Sequence, residues 1–389
     1  MNQPPKIKIL FRHRSMEMGG VEKVLLSLLN NLNPNKFDLT LYLTLNQGEL
    51  RNQIPFHVKK VFLAKGKEDM YKNPLLHKIQ LIKRKIQLLY FNKFTYLIDK
   101  NIIKDSYDIE VAMTYNDFDL VLKSSNKKSK KVGWFHSEIQ LPKLQPLVPK
   151  ILKQFPCFDE MIYCSNKIKE AMHNYYPDLN YPSEKVILNA VPIEEIKSKS
   201  EEKIENLSTS PLFFSMARLH TRKGFHKLID AHARLIEEGF EHTVLILGEG
   251  EEEFNLRNQI KNLNVENSFI IRPFELNPYP YLKQANFFIL PSESEAWPLV
   301  ISEALILKKP IIATNVGDVG LMIQDKKTGH LINYDTEEIY EAMKLFLTDA
   351  KYVERIKEGL KEIDYQFDNV GIFTAIEETF INLIRNDKS

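Results

Sequence analysis

Short apolar runs alternate with amphipathic stretches along the first half of the chain. Lys6–Phe11 is the first apolar run, and beyond Gly19-Gly20 apolar residues recur with a period of about 3.6, as on one face of a helix. Further strands are predicted at Phe37–Leu45, Ile109–Met113, Lys131–Phe135, Glu160–Cys164 and Lys185–Leu188. Because strands that alternate with helices form parallel sheets covered on both faces, the pattern predicts an α/β fold.

The polar segment Ser198–Pro211 interrupts this alternation, which then restarts. The segment has no apolar stripe, so we predict a linker at residues 198–210. Strands are predicted beyond it at Leu212–Met216, Thr243–Leu247, Ser268–Arg272, Phe287–Leu290 and Pro310–Ala313. The sequence thus predicts two Rossmann-like α/β domains, residues 1–197 and 211–367. We expect the C-terminal helix, about residues 368–389, to pack back on the first domain.

The composition fits two ordinary globular domains. The chain has 389 residues, of which 43% are hydrophobic and 27% charged, and these fractions exclude disordered and low-complexity assemblies. Two cysteines, Cys157 and Cys164, cannot build a disulfide framework, so we expect core thiols and a reducing, cytoplasmic setting. No apolar run approaches the roughly 18–20 residues that span a bilayer.

The net charge of +2 conceals a difference between the two halves of the chain. Residues 1–200 carry 32 Lys and Arg against 20 Asp and Glu, whereas residues 201–389 carry 21 against 31. This asymmetry predicts two domains with different partners, one of which is anionic.

The segment PSESEAWPLVISEAL follows a predicted strand and enters a helix. We place Pro298 at the first helical position, which leaves the N–H groups of Leu299 and Val300 at the positive end of the helix dipole. A phosphate binds well at such a position. Glu295 and Glu303 flank the helix start, and their carboxylates suit sugar hydroxyls. The alternative is that both glutamates only stabilise the N-terminal half of the helix.

A second charged loop, RLHTRKG, follows the first predicted strand of the second domain. Arg218 can bind a diphosphate through its planar guanidinium, and Lys223 can do so as a point charge. Together with the helix start, these cations would bracket a pyrophosphate.

Taken together, these motifs resemble those of glycosyltransferase family 4, retaining enzymes of the GT-B fold that use nucleotide-sugar donors. The resemblance is carried by the two glutamates seven residues apart in PSESEAWPLVISEAL and by RLHTRKG. Further matching segments lie in order along the chain: GGVEKV, WFHS, CS, NAV, LGEG, NPYPYL and DKKTG. The fold implied is α/β, with two Rossmann-like parallel-sheet domains that face each other across a deep cleft.

The resemblance also implies a role for each matching residue. Arg218 and Lys223 would hold the donor diphosphate, Glu303 would accept hydrogen bonds from the ribose, and Glu295 would contact the transferred sugar. The other residues implied in the site are Gly19 and Gly20 beside the diphosphate, Leu299 and Val300 at the phosphate, Phe274 near the nucleobase, and His136 beside the sugar and acceptor. The catalytic set would be Glu295, His136, Arg218 and Lys223.

Sugar transfer from a nucleotide develops negative charge on the departing diphosphate, so placed cations are the main catalytic resource. The family implies front-face attack with retention, in which the leaving phosphate takes the acceptor proton, and it implies neither a metal nor another cofactor. Asp117-Phe118-Asp119 has the spacing of a metal site, but we predict that it caps the following helix.

Two other charged segments allow alternative interpretations. LGEG at residues 247–250 resembles a dinucleotide fingerprint, but Glu253 stands at its third glycine position and nearby carboxylates would repel a pyrophosphate. That argues against an oxidoreductase. We place Arg12, His13 and Arg14 in the first loop, either as donor or acceptor contacts or as solvated charges.

Basic residues of the first domain are concentrated in a predicted amphipathic helix at His77–Lys93. Its apolar residues are Ile79, Ile82, Ile86, Leu89 and Tyr90, widened by Leu81, Leu88 and Phe91, and its basic ones are Lys78, Lys83, Arg84 and Lys85. A second basic cluster lies at Lys123–Lys131. Such a pattern is typical of peripheral contact with an anionic membrane. The alternatives are a solvated helix that packs on the sheet, and nucleic-acid binding, which we do not expect because no binding module accompanies the charge.

We therefore predict a retaining, metal-independent glycosyltransferase of bacterial cell-surface glycan synthesis. It would move a sugar from a nucleotide-sugar, with UDP favoured over GDP, to a lipid-linked or polysaccharide acceptor. The first domain would bind the acceptor and the second the donor, in the cytoplasm at the inner face of the membrane. The alternatives are a GT-B enzyme of another reaction, such as an NDP-sugar epimerase or a sugar-phosphate synthase, and a non-catalytic partner subunit.

Overall fold

The computed structural model describes residues 5–208, 210–295, 297–363 and 368–385. The chain divides into two compact units, one formed by Met1–Ala190 with Asp368–Ser389 and the other by Val191–Phe367. We call them unit 1 and unit 2.

Unit 1 is built on a parallel sheet with seven strands, among the described residues, in the order β3-β2-β1-β4-β5-β6-β7. The strands are β1 (Ile7–His13), β2 (Phe37–Asn46), β3 (Lys59–Lys65), β4 (Ile109–Ala112), β5 (Lys130–Phe135), β6 (Glu160–Tyr163) and β7 (Ser183–Val186). The helices are α1 (Gly20–Asn31), α2 (Pro74–Lys93), α3 (Tyr96–Ile98), α4 (Phe118–Leu122), α5 (Val148–Gln154), α6 (Asn166–Tyr175) and the C-terminal α15 (Asn369–Arg385). Strand β4 is buried along its whole length, as expected where helices cover a parallel sheet on both faces.

Unit 2 has a second parallel sheet, with six strands in its described part in the order β10-β9-β8-β11-β12-β13. The strands are β8 (Leu212–Met216), β9 (Thr243–Leu247), β10 (Phe269–Arg272), β11 (Phe287–Leu290), β12 (Ile311–Thr314) and β13 (Gly329–Ile332). The helices are α7 (Ile193–Ser200), α8 (Phe225–Glu237), α9 (Glu253–Asn262), α10 (Tyr279–Gln284), α11 (Leu299–Ile306), α12 (Val319–Met322), α13 (Thr336–Thr348) and α14 (Ala350–Lys361). The predicted α/β class with parallel sheets is confirmed.

Each sheet reverses its strand order at one place, between β1 and β4 in unit 1 and between β8 and β11 in unit 2. In open α/β sheets the crossovers on the two sides of such a switch point diverge and leave a crevice at the carboxyl ends of the strands. The loops that follow these four strands are therefore the places where polar side chains can converge on a ligand.

The unit boundaries differ from those that we predicted. We ended the first domain at residue 197 and placed a linker at 198–210, whereas α7 belongs to unit 2 because Ile196 is buried there with Tyr279 and Ile306. Residue 209 of the predicted linker lies outside the described residues.

Helix α15 packs against the N-terminal part of unit 1. Its Glu377 accepts hydrogen bonds from the Asn33 N–H at 2.9 Å and from Lys36 Nζ at 2.7 Å. The rings of Phe37 and Phe380 meet edge to face with their centroids 6.2 Å apart. Residues 386–389 of the predicted C-terminal helix lie outside the described residues.

The two cysteines differ in their environments: Cys157 is exposed and Cys164 is buried. The expectation of a core thiol is wrong for Cys157, which ends the 3-10 turn Phe155–Cys157. Phe155 occupies the buried position of that turn, so the cysteine side chain faces solvent.

A buried pair of histidines in unit 2 makes stability depend on pH. His232 Nδ1 lies 2.8 Å from His242 Nε2, and His242 Nδ1 donates to the Phe240 carbonyl at 2.8 Å. This arrangement suits two neutral rings, and burial lowers the pKa of both histidines, that of His232 to about 3.

We expect the urea midpoint of unit 2 to fall as the pH drops from 6.5 to 4, because the unfolded histidine takes up a proton near pH 6.5 and folded His232 only near 3. In a Trp134→Phe background, Trp297 is the only tryptophan of the sequence and reports on unit 2. His232→Gln should flatten the pH dependence between 6.5 and 4, and His226→Gln on the same helix should leave it unchanged. Equal slopes in wild type and His232→Gln would contradict this account.

Candidate active site

The loops after β8 and β11 meet at the switch point of unit 2. The backbone N–H of Glu293 donates to the Arg222 carbonyl at 2.7 Å. From the next strand, Thr314 Oγ1 donates to the Ser292 carbonyl at 2.5 Å. These bonds fix the backbone of the β11 loop on both sides, which positions the side chain of Glu295.

Lys223 and Glu295, which we predicted separately as donor-site residues, form an ion pair. Lys223 Nζ donates to Glu295 Oε1 at 2.6 Å, and Ser292 Oγ donates to the same oxygen at 2.7 Å. The side chains are 25% and 11% exposed, so solvent or a ligand can reach the pair. The structure thus places one cation and one carboxylate, already paired, at the carboxyl edge of the sheet.

Gly224 allows the two loops to approach each other. Its φ is +69°, in the left-handed region, and an added Cβ would lie 1.9 Å from the Pro291 carbonyl oxygen. Only glycine therefore fits where the β8 loop turns into α8 against the β11 loop.

Arg218 lies at the outer edge of the same region. Its side chain is 74% exposed, and its guanidinium is 3.3 Å from Glu251 Oε2. His220 Nε2 lies 3.6 Å from the other oxygen of Glu251. Arg218 therefore does not join the Lys223–Glu295 pair in this structure, and its cationic group is accessible.

The helix after the β11 loop begins one residue later than predicted. Pro298 is the N-cap of α11, because its ψ of 105° is extended, and Leu299 is the first helical residue. Pro298 offers no side chain to cap the helix, and Leu299 and Val300 are half-buried in the first turn. Ala296, within the same motif, lies outside the described residues.

Glu303 is only 2% exposed. Its Oε1 accepts a hydrogen bond from the Tyr279 hydroxyl at 3.2 Å. Burial, followed by the negative charge of Glu303, raises the pKa of Tyr279. Phe274, which follows β10, is half-buried.

In unit 1, β1 continues beyond the predicted strand and carries Arg12 and His13 into the interior. We placed both in the first loop, as ligand contacts or solvated charges. They are instead part of the ladder with β2, which extends to the pair His13 and Leu43, and both are buried. Arg14 follows the strand and is exposed.

Arg12 lies in a buried network of charged groups. Its Nε donates to Glu110 Oε2 at 2.7 Å, and its Nη2 donates to Asp99 Oδ1 at 2.6 Å and to Ser124 Oγ at 3.1 Å. These partners account for its charge, so the solvated interpretation of Arg12 is wrong.

His13 lies between two carboxylates at the carboxyl edge of the unit 1 sheet. Its Nδ1 is 2.9 Å from Asp117 Oδ2 and its Nε2 is 3.2 Å from Glu22 Oε1. Asp117 precedes α4 but caps none of its N–H groups, so the predicted capping role is wrong. Asp119, the second acidic residue of that motif, pairs with Lys123 and Lys150.

Gly19 and Gly20 stand at the start of α1, with Gly19 as its N-cap. A Cβ at Gly19 would come within 2.2 Å of Glu22 Oε2, so the glycine leaves room for that carboxylate. At Gly20 a Cβ would meet no described atom within 4 Å, so no close contact there requires a glycine.

His136 follows β5 and stacks on Trp134, with ring centroids 5.9 Å apart and planes 8° apart. Its Nε2 has no hydrogen-bond partner among the described residues. Burial, followed by the positive charge of His13, lowers the pKa of His136 to about 3. We included His136 in the predicted site but not Asp117 or Glu22. Both of these residues follow predicted strands of one sheet, and that position was the signal that could have identified them.

In the described residues no group of three or more His, Cys, Asp or Glu is placed to hold a metal ion.

Replacement of Gly224 tests how the unit 2 loops are held. We expect Gly224→Ala to lower the free energy of unfolding by about 3 kcal/mol, from left-handed strain and the overlap with Pro291. Gly239→Ala is the matched control: its φ is +87° but no described atom lies within 4 Å, so about 1–2 kcal/mol is expected. Urea unfolding of both variants measures the difference, and equal losses would show that the Pro291 contact is unimportant.

Comparison with known proteins relates the sequence of unit 2 to a family. Residues 197–362, which form most of unit 2, match the family model described as glycosyl transferases group 1. A relative from Campylobacter jejuni is 30% identical over 190 residues, which are 48% of this chain and 50% of the relative. Its name is N-acetylgalactosamine-N,N'-diacetylbacillosaminyl-diphospho-undecaprenol 4-alpha-N-acetylgalactosaminyltransferase. The Escherichia coli UDP-Gal:alpha-D-GlcNAc-diphosphoundecaprenol alpha-1,3-galactosyltransferase is 24% identical over 98% of both chains. With relatives such as the Campylobacter protein, the match spans only about half of the relative's length.

Solved structures resemble the whole chain in fold. HepE of Anabaena, crystallised with UDP, superimposes with a TM-score of 0.73 at 19% identity, over 97% of this chain and 100% of HepE. Sucrose-phosphate synthase of Thermosynechococcus elongatus gives a TM-score of 0.75 at 15% identity, over 98% and 100% of the chains. The predicted GT-B fold, with its two Rossmann-like units, is confirmed. Residues 197–362 therefore resemble the group 1 glycosyltransferase family, and the whole chain shares the GT-B fold.

Proposed function

We propose that this protein is a retaining, metal-independent glycosyltransferase that moves a sugar from a nucleotide-sugar, preferably a UDP-sugar, to a lipid-linked or polysaccharide acceptor. One observation carries the proposal: Lys223 and Glu295 meet at the switch point of unit 2, inside the segment that matches the family. Relatives named for undecaprenol-diphosphate-linked glycans support the acceptor class, and the E. coli name and the HepE complex support UDP.

Lys223 is the residue to which we assign the donor diphosphate. Its charge is balanced by Glu295 in this structure, and a diphosphate would compete for it. Once Lys223 binds the diphosphate, the Glu295 carboxylate can accept hydrogen bonds from hydroxyls of the transferred sugar. As the bond from sugar to phosphate breaks, Lys223, Arg218 and the free N–H groups at the start of α11 would stabilise the growing negative charge.

Retention in this proposal follows from attack on the face that the diphosphate leaves, with a phosphate oxygen taking the proton of the acceptor hydroxyl. Gly19 and Gly20 carry no side chain, which would allow a close approach of the diphosphate to the start of α1. Ribose hydroxyls would bond to Glu303 beside Tyr279, and Phe274 would contact the base. In unit 1, the half-buried ring of His136 would face the sugar and acceptor.

A panel of nucleotide-sugars tests the donor site, because slow hydrolysis needs no acceptor. We expect Lys223→Ala to lower kcat for UDP-sugar hydrolysis about 100-fold to 1,000-fold, since it removes a preorganised cation from the departing diphosphate. Lys351→Ala, an exposed lysine on α14, is the matched control and should turn over as wild type does.

The same assay separates the alternative functions. A sugar-phosphate synthase would show turnover only with a sugar-phosphate acceptor, and an epimerase would change the sugar without transferring it. A non-catalytic subunit would give no turnover. Unchanged turnover in Lys223→Ala, or no binding of UDP or GDP at millimolar concentration in calorimetry, would reject the donor-site assignment.

Helix α2 supports a peripheral contact with an anionic membrane, in keeping with a lipid-linked acceptor. One face of the helix packs on unit 1 through Leu88 and Phe91, and Gln87 Nε2 donates to the Leu63 carbonyl at 2.8 Å. The opposite face leaves a second apolar stripe in solvent. That stripe consists of Leu75, Ile79, Ile82, Ile86 and Leu89, which are 42–69% exposed.

The charges around this stripe favour a membrane over a second copy of the chain. The 20 residues of α2 include no Asp or Glu, and helical geometry puts Lys78 and Lys85 along one border of the stripe and Lys83 along the other. Two copies would bring like charges together, whereas anionic lipid attracts them. None of the helices in the described residues is long and apolar enough to cross a membrane. We therefore propose that the enzyme works at the cytoplasmic face of the membrane, held there by α2.

Flotation with liposomes that contain acidic lipid tests the assignment of α2. The triple variant Lys78→Gln, Lys83→Gln, Lys85→Gln should bind about 100-fold more weakly at low salt, since each basic residue contributes about 1 kcal/mol near such a surface. The control variant removes three exposed lysines of unit 2: Lys261, Lys326 and Lys351. Equal binding of the two variants, or equal binding of wild type to neutral and acidic liposomes, would contradict an electrostatic anchor.

A further inference from the structure

Three polar side chains converge where β1 and β4 end in unit 1. His13 is the last residue of β1, Asp117 lies between β4 and α4, and Glu22 is in the first turn of α1. His13 contacts both carboxylates, at 2.9 and 3.2 Å. This His13–Asp117–Glu22 cluster lies at the switch point of the sheet, the edge at which open α/β sheets bind ligands.

The geometry favours a charged imidazole. Each ring nitrogen of His13 faces a carboxylate oxygen, and a neutral ring has only one N–H to donate. A neutral His13 would therefore set a lone pair against an anion in a buried site. Burial opposes the charged form, but the charges of Asp117 and Glu22 outweigh it and raise the pKa of His13 to about 10.

The other charges around His13 do not compete for these carboxylates. Arg12, its neighbour on β1, is held by Asp99 and Glu110, and Arg14 is exposed. From the β5 side the titratable group is His136, whose charged form is disfavoured by burial and by His13. The cluster therefore holds one cation and two carboxylates next to a neutral histidine.

Two polar atoms beside this cluster have no hydrogen-bond partner within the described residues: Asp117 Oδ1 and His136 Nε2. Asp117 is only 1% exposed, and a buried carboxylate oxygen without a donor is costly unless something supplies one. The hydroxyl groups of a sugar or of a glycan acceptor would supply such donors.

We propose that His13 is a positioning residue of the transferase site: it fixes Asp117 and Glu22 through its two N–H groups, so that Asp117, together with His136 beside it, presents hydrogen-bonding atoms to substrate hydroxyls. The proposal rests on the proposed function, since it gives His13 a part in sugar transfer. His13 itself touches no substrate, because both of its ring nitrogens are occupied.

Variants that change the charge balance test this role. In His13→Gln, the carboxylates of Asp117 and Glu22 lose the cation that lies between them, so their mutual repulsion is no longer offset. We expect kcat to fall at least about tenfold, with an added ionisation in its pH profile, while KM for the UDP-sugar stays within about twofold. The double variant His13→Gln, Asp117→Asn removes one charge of each sign, so the added ionisation should disappear. A single variant with the wild-type pH profile, or a double variant that keeps the added ionisation, would overturn the proposal.

Ring signals of the histidines in NMR give a readout that needs no substrate. The signal that is absent from His13→Gln identifies the ring of His13. In wild type, this signal should remain that of a charged ring up to about pH 10. Glu22→Gln keeps the side-chain shape and should lower that titration midpoint, which tests the cluster even if His13→Gln does not fold. A His13 signal that titrates near pH 6.5 would contradict a charged His13 between the two carboxylates. If wild type shows the charged ring but transfers no sugar from any donor, the proposed function fails and the role of His13 in transfer fails with it.

Discussion

Parallel strands end at the same edge of their sheet, and in each unit one pair of neighbouring strands sends its crossovers in opposite directions. This constraint decides where unlike side chains can meet. In unit 2 it brings Lys223, which follows β8, to Glu295, which follows β11, although 72 residues separate them. In unit 1 it brings His13 to Asp117 across 104 residues. Chain segments that are remote in sequence become neighbours because their strands are neighbours.

The sequence was sufficient for most of the strands, although β3 and β13 were missed, and for the parallel sheets and the loops of unit 2 that carry Lys223 and Glu295. It did not show that these two residues bind each other, because a pattern of apolar runs gives strand positions but not strand order. The error at Arg12 and His13 has a similar cause. Charged residues usually end a buried strand, so β1 was expected to stop at Phe11. Partners at Asp99, Glu110 and Asp117 compensate the buried charges, and their proximity depends on the order of strands in the sheet.

Helix α2 shows a different limit of sequence patterns. Its apolar residues were treated as one broad surface, but in the structure they form two stripes on opposite sides. Leu88 and Phe91 pack on unit 1, whereas Ile82 and Ile86 face solvent. Both stripes have helical spacing, so the period alone cannot say which one is buried. The lysines that border the outer stripe mark it as the face that remains accessible.

The charge difference between the two halves of the chain does not by itself locate the anion site. Unit 2 lies mostly in the acidic half, and each proposed donor cation is paired with a carboxylate: Lys223 with Glu295 and Arg218 with Glu251. The Arg218–Glu251 pair is exposed and therefore weak, and in the proposed site a diphosphate, with more charge than one carboxylate, would compete with Glu295 for Lys223. If the diphosphate binds as proposed, the carboxylates would return to the cations when it leaves, which would lower the cost of product release. In this way an acidic unit could bind an anionic donor and still release the nucleotide product.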